Sequence, residues 1–359
     1  MKLLIKPEDG IAPLVAAIKH ARKSVDIVIF RFDRADIEAA LKAAAKRGVS
    51  VTALIAYANR GGEKNLRKLE MRLLGEGVTV SRTAADLVRY HDKLLIIDRR
   101  VLYVLSFNFT HLDVDHSRGF GIVTRKKKLV QEALKLLAAD NGRTSYEAGL
   151  DTFVVSPVNA RKQLLALIQR ARKELLIYDP RIADAEMLQA LGERAKKGVD
   201  VRVIGSIGGR RSGHHLKVRP LGGFRLHTRT IVRDRREAFV GSQSLRTAEL
   251  DSRREVGVIV RDAKVVGRLL ETFAADWGAK ECVETVRATP KELKKTLKAN
   301  MRRLSELDPL VKEAVKEVVS KTDGSATLNV KEMKDTIGKA VKEAVRERVD
   351  EMLNETAEQ

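Results

Sequence analysis

The chain of 359 residues holds a single cysteine, Cys282, so no disulfide can close within it and a reducing compartment is expected. Aromatic residues are scarce, at 4%, and few stand near the motifs described below. A stacking platform for single-stranded nucleic acid needs a succession of rings, so none is expected. No run of apolar residues is long enough to cross a membrane as a helix. The opening Met1-Lys2-Leu3-Leu4-Ile5-Lys6 returns to charge too soon for a secretion signal. The seven histidines show no zinc-ligand spacing with cysteine or acid, and no metal or cofactor is expected. With 44% apolar and 33% charged residues, the chain reads as a water-facing globular protein, expected in the cytoplasm and at most peripheral at a membrane.

Charge is abundant and one-sided. The formal net charge is +21, which favours polyanionic partners: an anionic phospholipid or membrane surface, or nucleic acid. The segment from Thr285 to Gln359 is nearly balanced, so the excess lies in the first 284 residues. Arg125-Lys126-Lys127-Lys128 opens a helical pattern with Leu129, Ala133 and Leu136 on its inner face, and reads as a solvated basic face. Gly208-Gly209-Arg210-Arg211-Ser212-Gly213-His214-His215 reads as a basic loop and lacks the spacing of a nucleotide phosphate loop.

The chain repeats itself. Ala21-Arg22-Lys23 answers Ala171-Arg172-Lys173, and Lys46-Arg47-Gly48-Val49 answers Lys196-Lys197-Gly198-Val199, both at an offset of 150. Further on, His91, Asp98 and Ser106 answer His227, Asp234 and Ser242 at an offset of 136. The first copy therefore carries extra residues, which fall near Glu63 to Leu74 and read as an additional helix. In each copy buried strands alternate with amphipathic helices that end in a basic turn and glycine, the pattern of βαβ units. The fold class is α/β. Two duplicated α/β/α domains with largely parallel or mixed sheets are expected over residues 1–145 and 146–284, with a C-terminal helical segment over 285–359.

Two matched motifs carry the chemistry. His91-Asp92-Lys93 runs into the apolar Leu94 to Ile97 and then Asp98. His227-Thr228-Arg229 runs into Thr230 to Arg233 and then Asp234. Read as strands, they set each histidine beside its cation on one face. Cleaving a phosphodiester requires a nucleophile, an acid for the leaving oxygen, and cations for the other phosphoryl oxygens. Two imidazoles supply the first two, and Lys93 and Arg229 the third. Neither copy holds both imidazoles, which is a physical reason to pair them in one site.

These segments resemble the HxK(x)4D motif of the phospholipase D superfamily, over roughly residues 1 to 280. The resemblance implies a phosphohistidine on His91 or His227, with the other histidine as acid and then base. It implies phosphate binding by Lys93 and Arg229 together with Ser106, Asn108, Ser242 and Ser244. Asp98 and Asp234 look structural, and Glu255 resembles the acid that orients an imidazole. Three departures stand out: Arg229 replaces lysine, Ser244 stands where the first copy has Asn108, and Gly119 occupies the place of Glu255. Asp113 and Asp115 are the candidates to replace the missing acid. The implied activity is a metal-independent phosphodiesterase or phosphatidyltransferase on phospholipid head groups. The alternatives are a nuclease of the same superfamily and a catalytically weak polyanion-binding protein.

Overall fold

The computed structural model describes residues 1–57, 63–208 and 216–279. Cys282, the His214-His215 loop and the C-terminal helical segment lie outside the described residues.

The first copy runs β1 (Lys2–Lys6), α1 (Ala12–Lys19), β2 (Ser24–Ile29), α2 (Ala35–Lys46), β3 (Ser50–Ile55), α3 (Glu63–Leu74) and β4 (Thr79–Arg82). It continues with β5 (Arg89–Tyr90), β6 (Leu94–Ile97), β7 (Val101–Leu105), α4 (His111–Asp115), β8 (Ser117–Thr124) and α5 (Lys127–Gly142). The second copy follows with β9 (Phe153–Ser156), α6 (Ala160–Gln169), β10 (Glu174–Ile182), α7 (Ala185–Lys196), β11 (Asp200–Ile207) and β12 (Lys217–Arg219). It ends with β13 (Arg225–Leu226), β14 (Arg229–Arg233), β15 (Glu237–Gly241), α8 (Thr247–Asp251), β16 (Arg253–Val260) and α9 (Ala263–Gly278). The extra helix expected near Glu63 is α3.

Local chemistry explains the elements. Ser24 to Ile29 is buried throughout and rich in Val and Ile, as a strand covered on both faces requires. Helices α2 and α7 stop where Gly48 and Gly198 take left-handed conformations, φ +82° and +85°, which cost glycine nothing. Asp184 caps α7 by accepting from the Met187 amide.

The two sheets share one plan, and both are mixed. The first has the order β1-β8-β7-β6-β2-β3-β4, and the second, with β9 on β16, the order β12-β11-β10-β14-β15-β16. In each, the β2-type strand runs parallel to the β3-type strand and antiparallel to the motif strand. A central apolar core takes residues from both sheets together with Leu129, Ala133 and Leu136 of α5 and Leu269 and Phe273 of α9. Outer cores lie under α1, α2 and α3 in the first copy and under α6 and α7 in the second. The helix face expected at Leu129, Ala133 and Leu136 is thus buried between the sheets.

The copies also exchange edge strands. β5 of the first copy adds to β16 of the second sheet, with Arg89 opposite Arg253. β13 of the second copy adds to β8 of the first, with Arg225 opposite Ser117. Each exchanged strand directly precedes a motif histidine.

Candidate active site

The exchange sets both histidines at the junction. The His91 amide donates to the Arg254 carbonyl at 2.8 Å, and the His227 amide to the Arg118 carbonyl at 3.1 Å. Each histidine is therefore tied by its backbone to the other copy. This differs from the strand reading of the motif, since β6 begins only at Leu94 and β14 at Arg229. The His91 backbone leaves the ladder because its partner is in the opposite sheet, and pairing within its own sheet resumes at Lys93, whose carbonyl accepts from the Leu105 amide at 3.0 Å.

His91 is 7% exposed, and its Nδ1 lies 2.9 Å from both carboxylate oxygens of Glu255, which is wholly buried. The Phe30 ring meets the imidazole edge-to-face, with centroids 4.6 Å apart. Lys93 and Arg89 stand over the same ring at 5.5 and 5.3 Å. With Nδ1 held by the carboxylate, Nε2 is the nitrogen available for chemistry.

His227 is equally buried, at 7%, but differently served. Its Nε2 stands 3.4 Å from Asp113 Oδ2, beyond good hydrogen-bond geometry for a ring nitrogen, and its Nδ1 has no hydrogen-bond partner among the described residues. The same Asp113 oxygen accepts from the backbone and side-chain amides of Asn108, both at 2.7 Å. The other oxygen of Asp113 pairs with Arg225. Of the two candidates for the missing acid, Asp113 reaches the imidazole, whereas Asp115 pairs with Arg34 at 2.7 Å. A side chain at Gly119 is crowded, because a Cβ there would lie 3.1 Å from the Phe107 ring, which would have to give by a few tenths of an ångström. In the second copy Gln243 holds the place of Phe107, and Glu255 fits.

The two cations repeat one geometry. Lys93 donates to the carbonyl of His91, and Arg229 Nη1 to the carbonyl of His227 at 2.6 Å. Arg229 Nε is buried without a partner among the described residues. Burial lowers the pKa of both imidazoles well below the ordinary histidine value, and Lys93 and Arg229 push both further down. Arg89 and Arg253 add to this at His91 and Arg225 at His227, while a backbone contact from Ser106 works the other way at His227. Both cations act on both imidazoles, so the two motifs lie within electrostatic reach of each other. Burial takes Lys93 itself down to about 7, against the opposing pull of Glu255. Burial raises Glu255 to about 8, although Lys93 favours its anion. Burial thus favours the neutral form of each of these groups.

The hydroxyl and amide groups hold the frame. Ser106 Oγ accepts from the Phe120 amide at 2.9 Å, and Ser242 Oγ accepts from the Val256 amide at 3.1 Å. Ser244 Oγ donates to Asp179 at 2.6 Å. Asn108 keeps Oδ1 buried and, among the described residues, unpartnered beside its Asp113 contact. Asp98 and Asp234 sit past the motif strands at φ +55° and +50°. Asp98 accepts from the amides of Arg22, Lys23 and Ser24, and Asp234 from those of Arg172, Lys173 and Glu174. They lash each hairpin to the start of a core strand, away from the histidines.

Sequence reasoning missed the further arginines. Arg89 and Arg225 each precede a motif histidine by two residues, so the duplication displayed them as a repeated Arg-x-His-x-cation pattern. Arg253, Phe30 and Asp179 carried no such mark. A buried cluster behind His91 was also unforeseen. Arg254 Nη2 donates to Asp140 at 2.9 Å, and burial raises the pKa of both Asp140 and its neighbour Asp92.

A duplicated α/β fold with exchanged edge strands and a buried pair of histidine-cation motifs defines a two-motif protein of the phospholipase D kind. The chain belongs to the family described as "Cardiolipin synthase, PLD-like domain", which matches residues 14–140 and 164–277. It is 26% identical over 300 residues to the polyphosphate kinase of Prosthecochloris aestuarii, a match taking in 74% of this chain and 41% of that protein. The chain thus spans less than half the length of that curated relative. Polyphosphate kinase from Porphyromonas gingivalis has a similar structure, with a TM-score of 0.66 at 18% identity, over 85% of this chain and 55% of that one. Phosphatidylserine synthase of Haemophilus influenzae superposes with a TM-score of 0.58 at 13% identity, over 86% of this chain and 94% of that one. At such identities the structural likenesses concern the fold. Among the described residues, no helix is long and apolar enough to cross a membrane, and no cluster of three or more His, Cys, Asp or Glu could hold a metal ion.

Proposed function

We propose that the protein is a phosphoryl-transfer enzyme of the phospholipase D type, with His91 as nucleophile, and that its substrate is a phosphate chain carrying several negative charges. The observation that carries this reading is the buried His91–Glu255 pair. The Nδ1–H donates to Glu255, which leaves the Nε2 lone pair free to attack and favours the positive charge that develops on the ring. A P–N bond forms as the P–O bond to the leaving group breaks, and the leaving oxygen keeps the electron pair. An acceptor hydroxyl or phosphate oxygen then attacks the phosphohistidine, the P–N bond breaks and His91 is restored. His227 exchanges the proton with the leaving or entering oxygen. Lys93 and Arg229 hold the other phosphoryl oxygens, so the step requires no metal.

The electrostatics bear on the substrate. Arg89, Arg225 and Arg253 join Lys93 and Arg229 around the imidazoles, with Asp113 paired to Arg225 and Glu249 to Arg253, a basic surrounding that suits a phosphate group carrying more than one negative charge. Burial also favours the neutral form of His227. A phosphate leaving group departs as a stable anion and depends little on a proton, whereas an alkoxide depends on it strongly. Both points, together with the polyphosphate kinase relative, favour an anhydride-linked chain. A second reading is transfer on a phospholipid head group. It draws on Val88, 70% exposed beside Arg89, and Phe224, 37% exposed beside Arg225, since apolar side chains next to guanidiniums suit a lipid surface.

The test is to incubate the full chain, with chelator present, with long-chain polyphosphate, phosphatidylglycerol vesicles or plasmid DNA. The reaction is quenched in base and the modified peptide mapped. Phosphate on His91 with polyphosphate is expected. His227→Asn should cost less than about tenfold on polyphosphate, but about 100-fold or more on a diester. Modification of His227, or turnover of vesicles or DNA with none of polyphosphate, would sink the proposal.

A further inference from the structure

The first copy carries a second basic site at the opposite end of its sheet. A cavity of about 710 Å³ opens beside the turn after β6, lined by Asp98, Arg99, Arg100, Arg125, Lys127 and Gln131 among others. His91 precedes β6 and Arg99 follows it, so at about 3.4 Å per residue the cavity lies about 25 Å from the imidazole.

Its charges are uncompensated. Among the described residues, none of Arg99, Arg100, Arg125 and Lys127 forms an ion pair or side-chain hydrogen bond. The carboxylate in the lining, Asp98, is taken by three backbone amides. Arg99 is the cation that acts on Asp26, whose carboxyl burial pushes up. The second copy provides an internal control. There Glu237, 1% exposed, stands where the first copy has Val101. Glu237 accepts from Arg233 at 2.8 Å and from Arg261, the counterpart of Arg125, at 2.7 Å. The first copy has kept the arginine, lacks the acid, and adds Lys127 where the second has Ala263.

We infer that this cavity is a binding site for a short oligophosphate, distinct from the paired-histidine site. Four cations against one committed carboxylate call for three or more negative charges. Guanidinium groups suit phosphate oxygens because they donate in parallel pairs. The site is concave and of small-ligand size, unlike the extended contacts of a duplex or a membrane. No aromatic ring lines it to stack a base, so the phosphates carry the recognition. The ligand is either a free oligophosphate or one end of a longer chain.

Calorimetry of the full chain with tripolyphosphate tests this. The triple variant Arg100→Gln, Arg125→Gln, Lys127→Gln should lose one binding event and weaken the site by about 100-fold or more. The loss is expected whether or not the histidine site also takes tripolyphosphate, so this inference and the proposed function can fail separately. Val101→Glu should weaken the same event at least tenfold by pairing with Arg125, with melting temperature as the control for folding. A long-chain polyphosphate arm separates the sources: a long chain that binds as tightly per chain end as tripolyphosphate identifies a chain end, and a long chain that does not bind in this event identifies a free oligophosphate. The inference is overturned if the wild type shows no event that the triple variant loses. It is equally overturned if duplex DNA, a phosphoserine peptide or phosphatidylglycerol vesicles displace tripolyphosphate at lower phosphate concentration than tripolyphosphate itself requires.

Discussion

Anion binding at the histidine site should draw protons from solution. At pH 8 the fully buried Lys93, held at about 7, is mostly uncharged. A tetrahedral anion about 4 Å from its nitrogen favours the ammonium by about 4 kcal/mol per unit charge at an effective dielectric near 20, or about three pKa units. That returns Lys93 to near its ordinary value, and about 0.9 proton is taken up per anion bound. Glu255, at about 8, is half-ionised at this pH and adds up to about half a proton. Both imidazoles shift in the same direction. Sulfate is a suitable probe because it does not titrate near pH 8. Calorimetry in buffers of different ionisation enthalpy measures the uptake directly. Binding at the distal cavity contributes little, since guanidinium groups exchange no protons in this pH range. Lys93→Arg should remove the lysine share, leaving about half a proton or less. A binding enthalpy that does not vary with buffer in the wild type, or an uptake unchanged in Lys93→Arg, would refute the argument.

Other substitutions probe the site and its frame. Glu255→Gln should slow phosphohistidine formation by about 10- to 100-fold, the value of a charge-assisted hydrogen bond, as followed by quenched flow. The same change should stabilise the fold above pH 8. Because folding raises the Glu255 pKa, its contribution is full below the ordinary carboxylate value and is lost as pH rises through about 8, a loss the neutral glutamine escapes. Thermal melts at pH 5 and pH 9 check this, with the gain expected at pH 9 alone. Asp98→Ala or Asp234→Ala strands three amides and should cost about 2–4 kcal/mol in urea unfolding while sparing turnover per folded molecule. Gly119→Glu should cost about 1–3 kcal/mol by pressing on Phe107, and adding Phe107→Gln should recover part of it.

Much of the architecture was legible because duplication writes the same physics twice. The alternating strands and helices, the glycine stops after α2 and α7, and the added helix α3 follow from local periodicity. Asp98 and Asp234 were readable as structural from their distance past the cations. The arginines before each histidine were written in the repeat and still overlooked, because a surface guanidinium and a site guanidinium look alike until the backbone is placed. The strand reading of the motifs failed at His91 and Lys93. The His91 amide finds its partner in the other copy, which no local pattern contains.

The sequence by itself determined the duplicated α/β units, the two histidine-cation motifs and the asymmetry at Gly119 and Glu255, because each depends on residue type at short spacing. Only the tertiary structure decided that edge strands cross between copies and that Glu255 serves His91. It also decided that Phe107 crowds position 119 and that Asp113 lies near His227. These depend on which surfaces meet across more than a hundred residues of chain, where burial and hydrogen-bond closure, not local propensity, choose the partner.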